Sequence, residues 1–373
     1  MTRFLIFSGY NERAIVALCR ELASMGRPFS IIAAGDRDPI FRTAYRSNVA
    51  AIRAVTALDA ADLDRCIRRT QAAHPGDRWV IAPTSEFLNH HVLAHREWFA
   101  SRRCEIPLVD ASCYARVTNK ASFRALCEQA GIAVPPLVDF QGDPGAGAYP
   151  FVAKPRANVS TDGRSLYPAL IHSADEWTRQ RDALGSLDDY YFETLIDGSS
   201  HYLLYYLPAD ASAPAFRWSQ RNLLQQPNGK SMVLAVSDDL HLAPISDRVI
   251  NMLRGTGFHG LAMVEVIRHH DDYVAIELNP RLWGPLQLLR NSGSHLIRAF
   301  VEDALDGRIT SADPRAGHAA SYLWLGGLQP GMTWHCRPPR YPWLWLTPRL
   351  VGDVYLRRDT VGLFIDECVR RAA

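Results

Sequence analysis

Leu261-Ala262-Met263-Val264-Glu265-Val266-Ile267, then Arg268 to Asp272, then Tyr273-Val274-Ala275-Ile276-Glu277-Leu278-Asn279-Pro280-Arg281 is the stretch on which the fold turns. Two alternating runs flank a polar turn, which is the pattern of a β-hairpin. A turn over 268–272 that pairs 269 with 273 also pairs 265 with 277 and 263 with 279. The even positions Ala262, Val264, Val266, Val274, Ile276 and Leu278 are all apolar, and the period of a strand turns them toward a core. Glu265, Glu277 and Asn279 then share the opposite face.

Two carboxylates directly across a sheet repel one another unless a cation or a shared proton lies between them. With the amide oxygen of Asn279 they make a hard, all-oxygen donor set, suited to Mg²⁺ or Mn²⁺ rather than zinc. An ordinary solvated hairpin is the plain alternative. Mg²⁺ held by few protein ligands usually shares its shell with phosphates. Arg281, two residues past Asn279, is placed to meet a phosphoryl or carboxylate oxygen in bidentate fashion.

Upstream, Phe4 to Phe7 reads as a buried strand and Arg13 to Met25 as an amphipathic helix closed by Gly26. Phe29 to Ala34 and Trp79 to Ala82 read as further strands, with a helix over Leu63 to Ala73 between them. That rhythm predicts a parallel α/β sheet, whose ligands sit beyond the carboxyl ends of the strands. The loops Ser8-Gly9-Tyr10-Asn11 and Pro83-Thr84-Ser85-Glu86 are therefore expected to face a site. After Pro107 the texture changes to Asn119-Lys120 before a helix, a strand Phe151-Val152-Ala153-Lys154, and antiparallel strands onward to Asn279.

Composition bounds the function. The chain has 373 residues, 47% hydrophobic and 21% charged, enough for two or three globular domains. Lys and Arg number 41 against 39 for Asp and Glu, so no basic excess exists to neutralise a nucleic-acid backbone. Seven scattered cysteines form no C-x-x-C pair and fit reduced thiols in the cytoplasm rather than a disulfide framework or zinc knuckle. No apolar run approaches the roughly 18 residues of a membrane span. Gly255-Thr256-Gly257-Phe258-His259-Gly260 spells a dinucleotide fingerprint, but it follows a helix and precedes a strand, the reverse of the required order. Gly229-Lys230-Ser231 lacks the first glycine of a P-loop and reads as a hairpin turn. His91 and His95 share one helical face near His90, but no carboxylate or cysteine completes a credible metal-ligand set on that face, though Glu86 lies near.

Glu-x(11)-Glu-x-Asn-Pro-Arg, preceded by Gly257-Phe258-His259-Gly260, resembles the metal-binding signature of the ATP-grasp superfamily. The likeness is greatest to its stand-alone carboxylate–amine ligases related to carbamoyl-phosphate synthetase and D-aspartate ligase. Asn119-Lys120 with its helix resembles the first nucleotide-contacting lysine of that family, and Phe151 to Arg156 the second, Lys154. Ala157 to Ser165 resembles the loop that covers the phosphates, and Phe192 to Gly198 the hinge strand that pairs with adenine. Two departures stand out: Ser199, Ser200 and His201 occupy the region where the family often has a ribose-binding acid, and the covering loop holds only Gly163.

The resemblance implies an α/β and α+β chain: a parallel α/β pre-ATP-grasp domain (1–115), a lysine-bearing small subdomain (116–190), a metal-binding large subdomain (191–310), and a Trp/Pro-rich segment (311–373) packed on the last. It implies ATP and Mg²⁺ (or Mn²⁺) as cofactors. Lys120, Lys154, Glu193, Thr194, Leu195, Ile196 and Ser200 are the expected nucleotide contacts, and Glu265, Glu277 and Asn279 the expected metal ligands. Lys154 and Arg281 carry the expected catalytic roles. The implied partners are a small-molecule carboxylate and an amine, amino-acid or peptide-like, with no nucleic acid and no membrane span; a homodimer is compatible with the chain. Activation of the carboxylate as an acyl phosphate and capture by the amine is the implied reaction. A carboxylate–thiol ligase and a non-catalytic nucleotide-binding protein are the alternatives. Trp324, Trp334, Trp343 and Trp345 among prolines suggest packing, with an interaction surface or substrate cover as the rival account.

Overall fold

The first strand, β1 (Thr2–Phe7), buries Phe4, Leu5 and Ile6 on both of its faces, as a parallel strand covered on both sides requires. It leads into the helix Glu12–Ser24, whose Ile15, Leu18, Cys19 and Leu22 are buried. β2 (Phe29–Ala33), β3 (Val49–Ile52), β4 (Arg78–Ile81) and β5 (Cys104–Glu105) complete a parallel sheet of order β3-β2-β1-β4-β5. β3 and β5 are too short to show alternation, and sequence alone did not reveal them. Strand order reverses between β1 and β4, so the loops after these two strands converge. The computed structural model describes residues 1–140, 143–156, 166–311 and 313–372. The phosphate-covering loop expected at Ala157 to Ser165 lies outside them.

A three-stranded antiparallel sheet follows, β6 (Phe151–Pro155), β7 (Ala169–Ile171) and β8 (Tyr190–Thr194), in the order β7-β6-β8. Phe151, Ile171, Trp177, Leu184 and Tyr190 form its own core, with Trp177 and Leu184 supplied by the helix Ala174–Leu184. The largest sheet is antiparallel and comprises β9 (Ser199–Leu207), β10 (Phe216–Gln225), β11 (Met232–Ser237), β12 (Gly260–His269), β13 (Asp272–Asn279), β14 (Ser321–Leu323) and β15 (Thr333–Trp334). Its order is β13-β12-β9-β10-β11-β14, with β15 added on β10. Leu204, Tyr206 and Met263 on one face join Phe4, Leu18 and Phe300 in a single core. Leu203, Tyr205 and Val264 on the other pack with Phe123, Leu253 and Phe258.

The decisive hairpin is β12–β13, with Glu265 opposite Glu277 and Met263 opposite Asn279. Its turn is tighter than expected. His269 pairs with Asp272, which leaves His270 and Asp271 as the loop, His270 at φ 53°. That turn alone would set Glu265 opposite Ile276. Instead Val266 pairs with Ala275 and Glu265 with Glu277, so Ile276 is the extra residue of a β-bulge. The bulge also exchanges faces: Ala275 is buried beside Val266, and Ile276, expected in the core, is only half-buried.

Other local expectations resolve simply. Gly255 ends the helix Pro244–Gly255 and β12 begins at Gly260, so the glycine-rich stretch is a helix end and turn. His91 and His95 pack ring to ring at 4.7 Å, and burial holds the His91 pKa down. All seven cysteines are unpaired. No helix among the described residues is long and apolar enough to cross a membrane. The C-terminal segment packs more widely than on the large sheet alone: Val354, Tyr355 and Leu363 enter the core shared with β1 and the first helix. There Arg20 Nε donates to Asp359 at 2.7 Å and its Nη2 to Thr360 at 2.6 Å, while Tyr45 donates its hydroxyl to Asp359 at 2.6 Å.

Gly198, between β8 and β9, lies flat against the hairpin. A Cβ there would sit 2.0 Å from the carbonyl oxygen of Arg268. Gly198→Ala must therefore push the two backbones apart and should cost about 1–3 kcal/mol, the range of overpacked sites. Denaturant unfolding of the variant measures this; unchanged stability would show that the approach has slack.

Candidate active site

The reversal of strand order in the first sheet and the exit of the hairpin meet at one cavity of about 730 Å³. From the hairpin it is lined by Met263, Glu265, Glu277, Asn279 and Arg281. From the loops after β1 and β4 come Tyr10, Asn11, Glu12, Thr84, Ser85 and Glu86. Asn11 joins the two sides. In the left-handed conformation, at φ 60°, it donates its amide to Thr84 O at 3.1 Å and to Leu282 O at 2.9 Å. Lys230 and Ser231, in the turn between β10 and β11, supply a third wall, and Trp324, Tyr355 and Glu367 close the fourth.

The two glutamates face each other without a full counter-charge. Ser200 donates its hydroxyl to Glu265 at 2.9 Å, and Asn279 donates its amide nitrogen to Glu277 at 2.7 Å. Burial first, and the Glu277 carboxylate second, push the Glu265 pKa up to about 7, against the weaker pull of the Ser200 hydrogen bond and Lys154. Arg281 donates Nη2 to the Asn279 side-chain oxygen at 3.1 Å and Nη1 to Leu282 O at 3.2 Å. Two carboxylates lining one cavity, with the Asn279 amide turned between Glu277 and Arg281, make an oxygen-rich wall that fits a hard divalent cation. Among the described residues no cluster of three or more His, Cys, Asp or Glu offers a different metal site.

Lys154, from the three-stranded sheet, and Lys120, from a helix start, do not line the cavity. Lys154, on β6, forms a 2.6 Å ion pair with Glu193 of β8 and lies 3.5 Å from Ile276 O, at the bulge. Lys120 opens the helix Lys120–Gln129, where Asn119 caps the first turn through Ala121 and Ser122 N–H, and its ammonium donates to Pro155 O at 2.7 Å. Burial lowers the Lys120 pKa, while Glu277 opposes the shift and Lys154 adds to it. Lys120 thus acts on Glu277, and Lys154 on Glu265, through charge rather than through a hydrogen bond among the described residues.

The expected nucleotide contacts divide. Glu193 is buried, with its carboxylate between Lys154 and Arg124. Thr194 N–H already donates to Pro136 O at 2.9 Å and Leu195 N–H to Pro150 O at 3.1 Å, so neither amide is available to a ligand. Among the described residues Ile196 N–H donates to nothing. Ser200 departs from its expected place: it is 0% exposed, and its hydroxyl is held between Asn222, which donates at 2.8 Å, and Glu265. It positions a cavity carboxylate rather than meeting a sugar. Glu12, Arg13 and Tyr355 were not singled out from sequence, and Lys230 was read there only as part of a hairpin turn; they converge only through the tertiary fold. Arg13 is fully engaged, donating to Met232 O at 2.9 Å and Ser231 Oγ at 2.9 Å and lying 4.1 Å over the Trp324 ring.

No family model matches the chain, and no curated protein matches its sequence. Solved structures do match. Biotin carboxylase of Campylobacter jejuni, in a β,γ-ATP complex, is similar at a TM-score of 0.61 and 15% identity over 86% of this chain and 75% of that one. N5-carboxyaminoimidazole ribonucleotide synthetase of Thermus thermophilus is similar at 0.61 and 14%, over 88% and 84%. The biotin carboxylase domain of the Hydrogenobacter thermophilus 2-oxoglutarate carboxylase, crystallised with MgADP, ADP and bicarbonate, is similar at 0.62 and 13%, over 86% and 74%. This chain has the ATP-grasp fold. At these identities the likeness concerns architecture, and the chemistry must be argued from the cavity.

The raised Glu265 pKa yields a test of that cavity. The stability Glu265 gives as a neutral acid is full below its unfolded pKa of about 4.3 and is lost as pH rises through about 7. In chelator, the melting temperature should fall from about pH 5 to about pH 8 by more than it does in Glu265→Gln, which stays uncharged. Excess Mg²⁺ or Mn²⁺ should recover much of that fall in the unmodified chain only. Parallel melting profiles would count against a repelling pair at Glu265.

Proposed function

We propose that the chain is an ATP-dependent, Mg²⁺-requiring ligase that activates a carboxylate as an acyl phosphate and joins it to an amine. One observation carries this: Glu265, Glu277, Asn279 and Arg281 line a single cavity, and the charges of Lys120, at a helix start, and Lys154, on β6, act on that carboxylate pair. Anion-binding and cation-binding groups so interleaved suit polyphosphate with a divalent ion. Neighbouring folds crystallised with ATP analogues or MgADP support the same cofactors.

In this reading Glu265, Glu277 and Asn279 hold the cation, which supplies charge neutralisation for the phosphates. Lys120 and Lys154 bind phosphate oxygens, and Lys154 exchanges part of its Glu193 pairing for them. Ile196 N–H is the open backbone donor for an adenine edge. The substrate carboxylate oxygen attacks the γ-phosphorus; an O–P bond forms as ADP leaves. Arg281, swung from Asn279, steadies the transferring group. The amine lone pair then attacks the acyl carbon, a C–N bond forms, and phosphate departs.

Glu12 favours an amine over a thiol as the acceptor. Its half-buried carboxylate lines the cavity with no ion pair among the described residues, and burial, with Asp38 adding to it, raises its pKa against the pull of a backbone hydrogen bond and the Arg13 charge. An ammonium fits beside it, and the same carboxylate can take the proton released as the C–N bond forms.

Phosphate release with amino acids and small amines, offered singly and in pairs, tests the reading. Release should need a divalent cation and fall by about 10²-fold or more in Glu277→Gln. Turnover that persists in chelator, or at the wild-type rate in that variant, would overturn the metal assignment. Glu12→Gln should raise the KM for the amine by about tenfold or more, the scale of a charged hydrogen bond, with little change in the KM for ATP. An unaltered amine KM would remove Glu12 from the acceptor site.

A further inference from the structure

Between Asp313 and Asp353 the chain contains no aspartate or glutamate, but it holds four tryptophans (Trp324, Trp334, Trp343, Trp345) and four arginines (Arg315, Arg337, Arg340, Arg349). The fold sorts this segment into two faces. Trp324 and Trp334, with Leu346 and Leu350, pack on Leu223, Leu224, Val233 and Leu234 of the large sheet. That anchors the short helix Pro342–Leu346 and the turn Thr347–Gly352 to the body of the protein. On the outer side Tyr341 is 50% exposed, Trp343 63%, Leu344 54% and Val351 83%.

An anchored segment that exposes four large apolar side chains between Tyr341 and Val351 marks a contact surface rather than a frayed tail. Its flanks are cationic. Arg337 and Arg340 are exposed, and the Arg340 guanidinium lies 5.4 Å from the centre of the Tyr341 ring. Trp and Tyr with arginine and no acid is the chemistry of a bilayer interface: amphipathic rings sit at headgroup depth, and guanidinium groups meet lipid phosphates. A second copy is the poorer occupant. A two-fold contact sets a patch against itself, and this one would oppose arginine to arginine.

We propose that the face from Arg337 to Val351 docks the protein on an anionic lipid surface. Tyr341, Trp343, Leu344 and Val351 enter the headgroup layer while Arg337 and Arg340 pair with phosphates. With no membrane-crossing helix among the described residues, the attachment is peripheral and reversible. It is independent of the ligase reading, since none of these side chains lines the cavity.

Vesicle co-sedimentation tests it, with phosphatidylcholine alone against an equimolar phosphatidylcholine–phosphatidylglycerol mixture. Partitioning should be about tenfold or more stronger on the mixture and should weaken with added salt. Trp343→Ser/Leu344→Ser should lower it by about tenfold with an unchanged melting temperature, because both side chains are exposed. Arg337→Gln/Arg340→Gln should bring the two vesicle types closer together. Failure to bind the mixture, equal binding to both compositions, or full binding by the Trp343/Leu344 variant would overturn the proposal. So would a change from dimer to monomer in sedimentation velocity caused by that variant without vesicle binding, which would assign the face to self-association.

Discussion

Two carboxylates set opposite each other across neighbouring strands are the constraint to which the surrounding structure answers. With the tight turn at His270 and Asp271, the bulge at Ile276 is what sets Glu265 opposite Glu277. A sheet tolerates that only where something else lowers the local potential. Here the compensation is partial: a hydroxyl from Ser200, an amide from Asn279, and the more distant Lys154. Electrostatic frustration at a cavity wall, with the rest of the hairpin well packed, is a feature of sites shaped for a ligand's charge.

The support behind the pair is itself polar and buried. Gln220 donates to Asn222, Asn222 to Ser200, and Ser200 to Glu265, a relay across β10, β9 and β12 with the first three side chains fully excluded from solvent. Buried chains of this kind fix rotamers, since each member would lose its partner by turning away. The Glu265 oxygen is thus held by the sheet, whereas among the described residues the Arg281 guanidinium bonds to Asn279 and a neighbouring carbonyl.

Much of this was legible in the sequence because period-two alternation over 261–279 is strong and the chemistry-bearing residues fall on one parity. The lysines at 120 and 154 could be located by their order relative to that hairpin. The bulge could not: nothing in Val274-Ala275-Ile276 marks a residue to be skipped, and a longer turn with no bulge gives the same Glu265–Glu277 pairing. Ser200 was misplaced because its neighbours in sequence suggest a ligand loop, while its neighbours in space are strands. Glu12, Lys230 and Tyr355 are far apart in the chain, and no local pattern ties them to a common cavity. The strands at 49–52 and 104–105 hold too few residues for periodicity to register.

The clasp of Asp359 and Thr360 on Arg20 and Tyr45 bears on how the molecule is made. The parallel sheet near the N-terminus contains most of its own core, yet Val354, Tyr355 and Leu363 complete it. During synthesis that sheet must wait, with part of its apolar flank open, until roughly 250 further residues have emerged. The interval is one in which chaperones can engage and truncated products remain unfinished. Closure of the clasp therefore joins residues more than 300 positions apart in the chain, a contact of long sequence separation whose loop-closure cost delays it relative to the local pairings of the sheet.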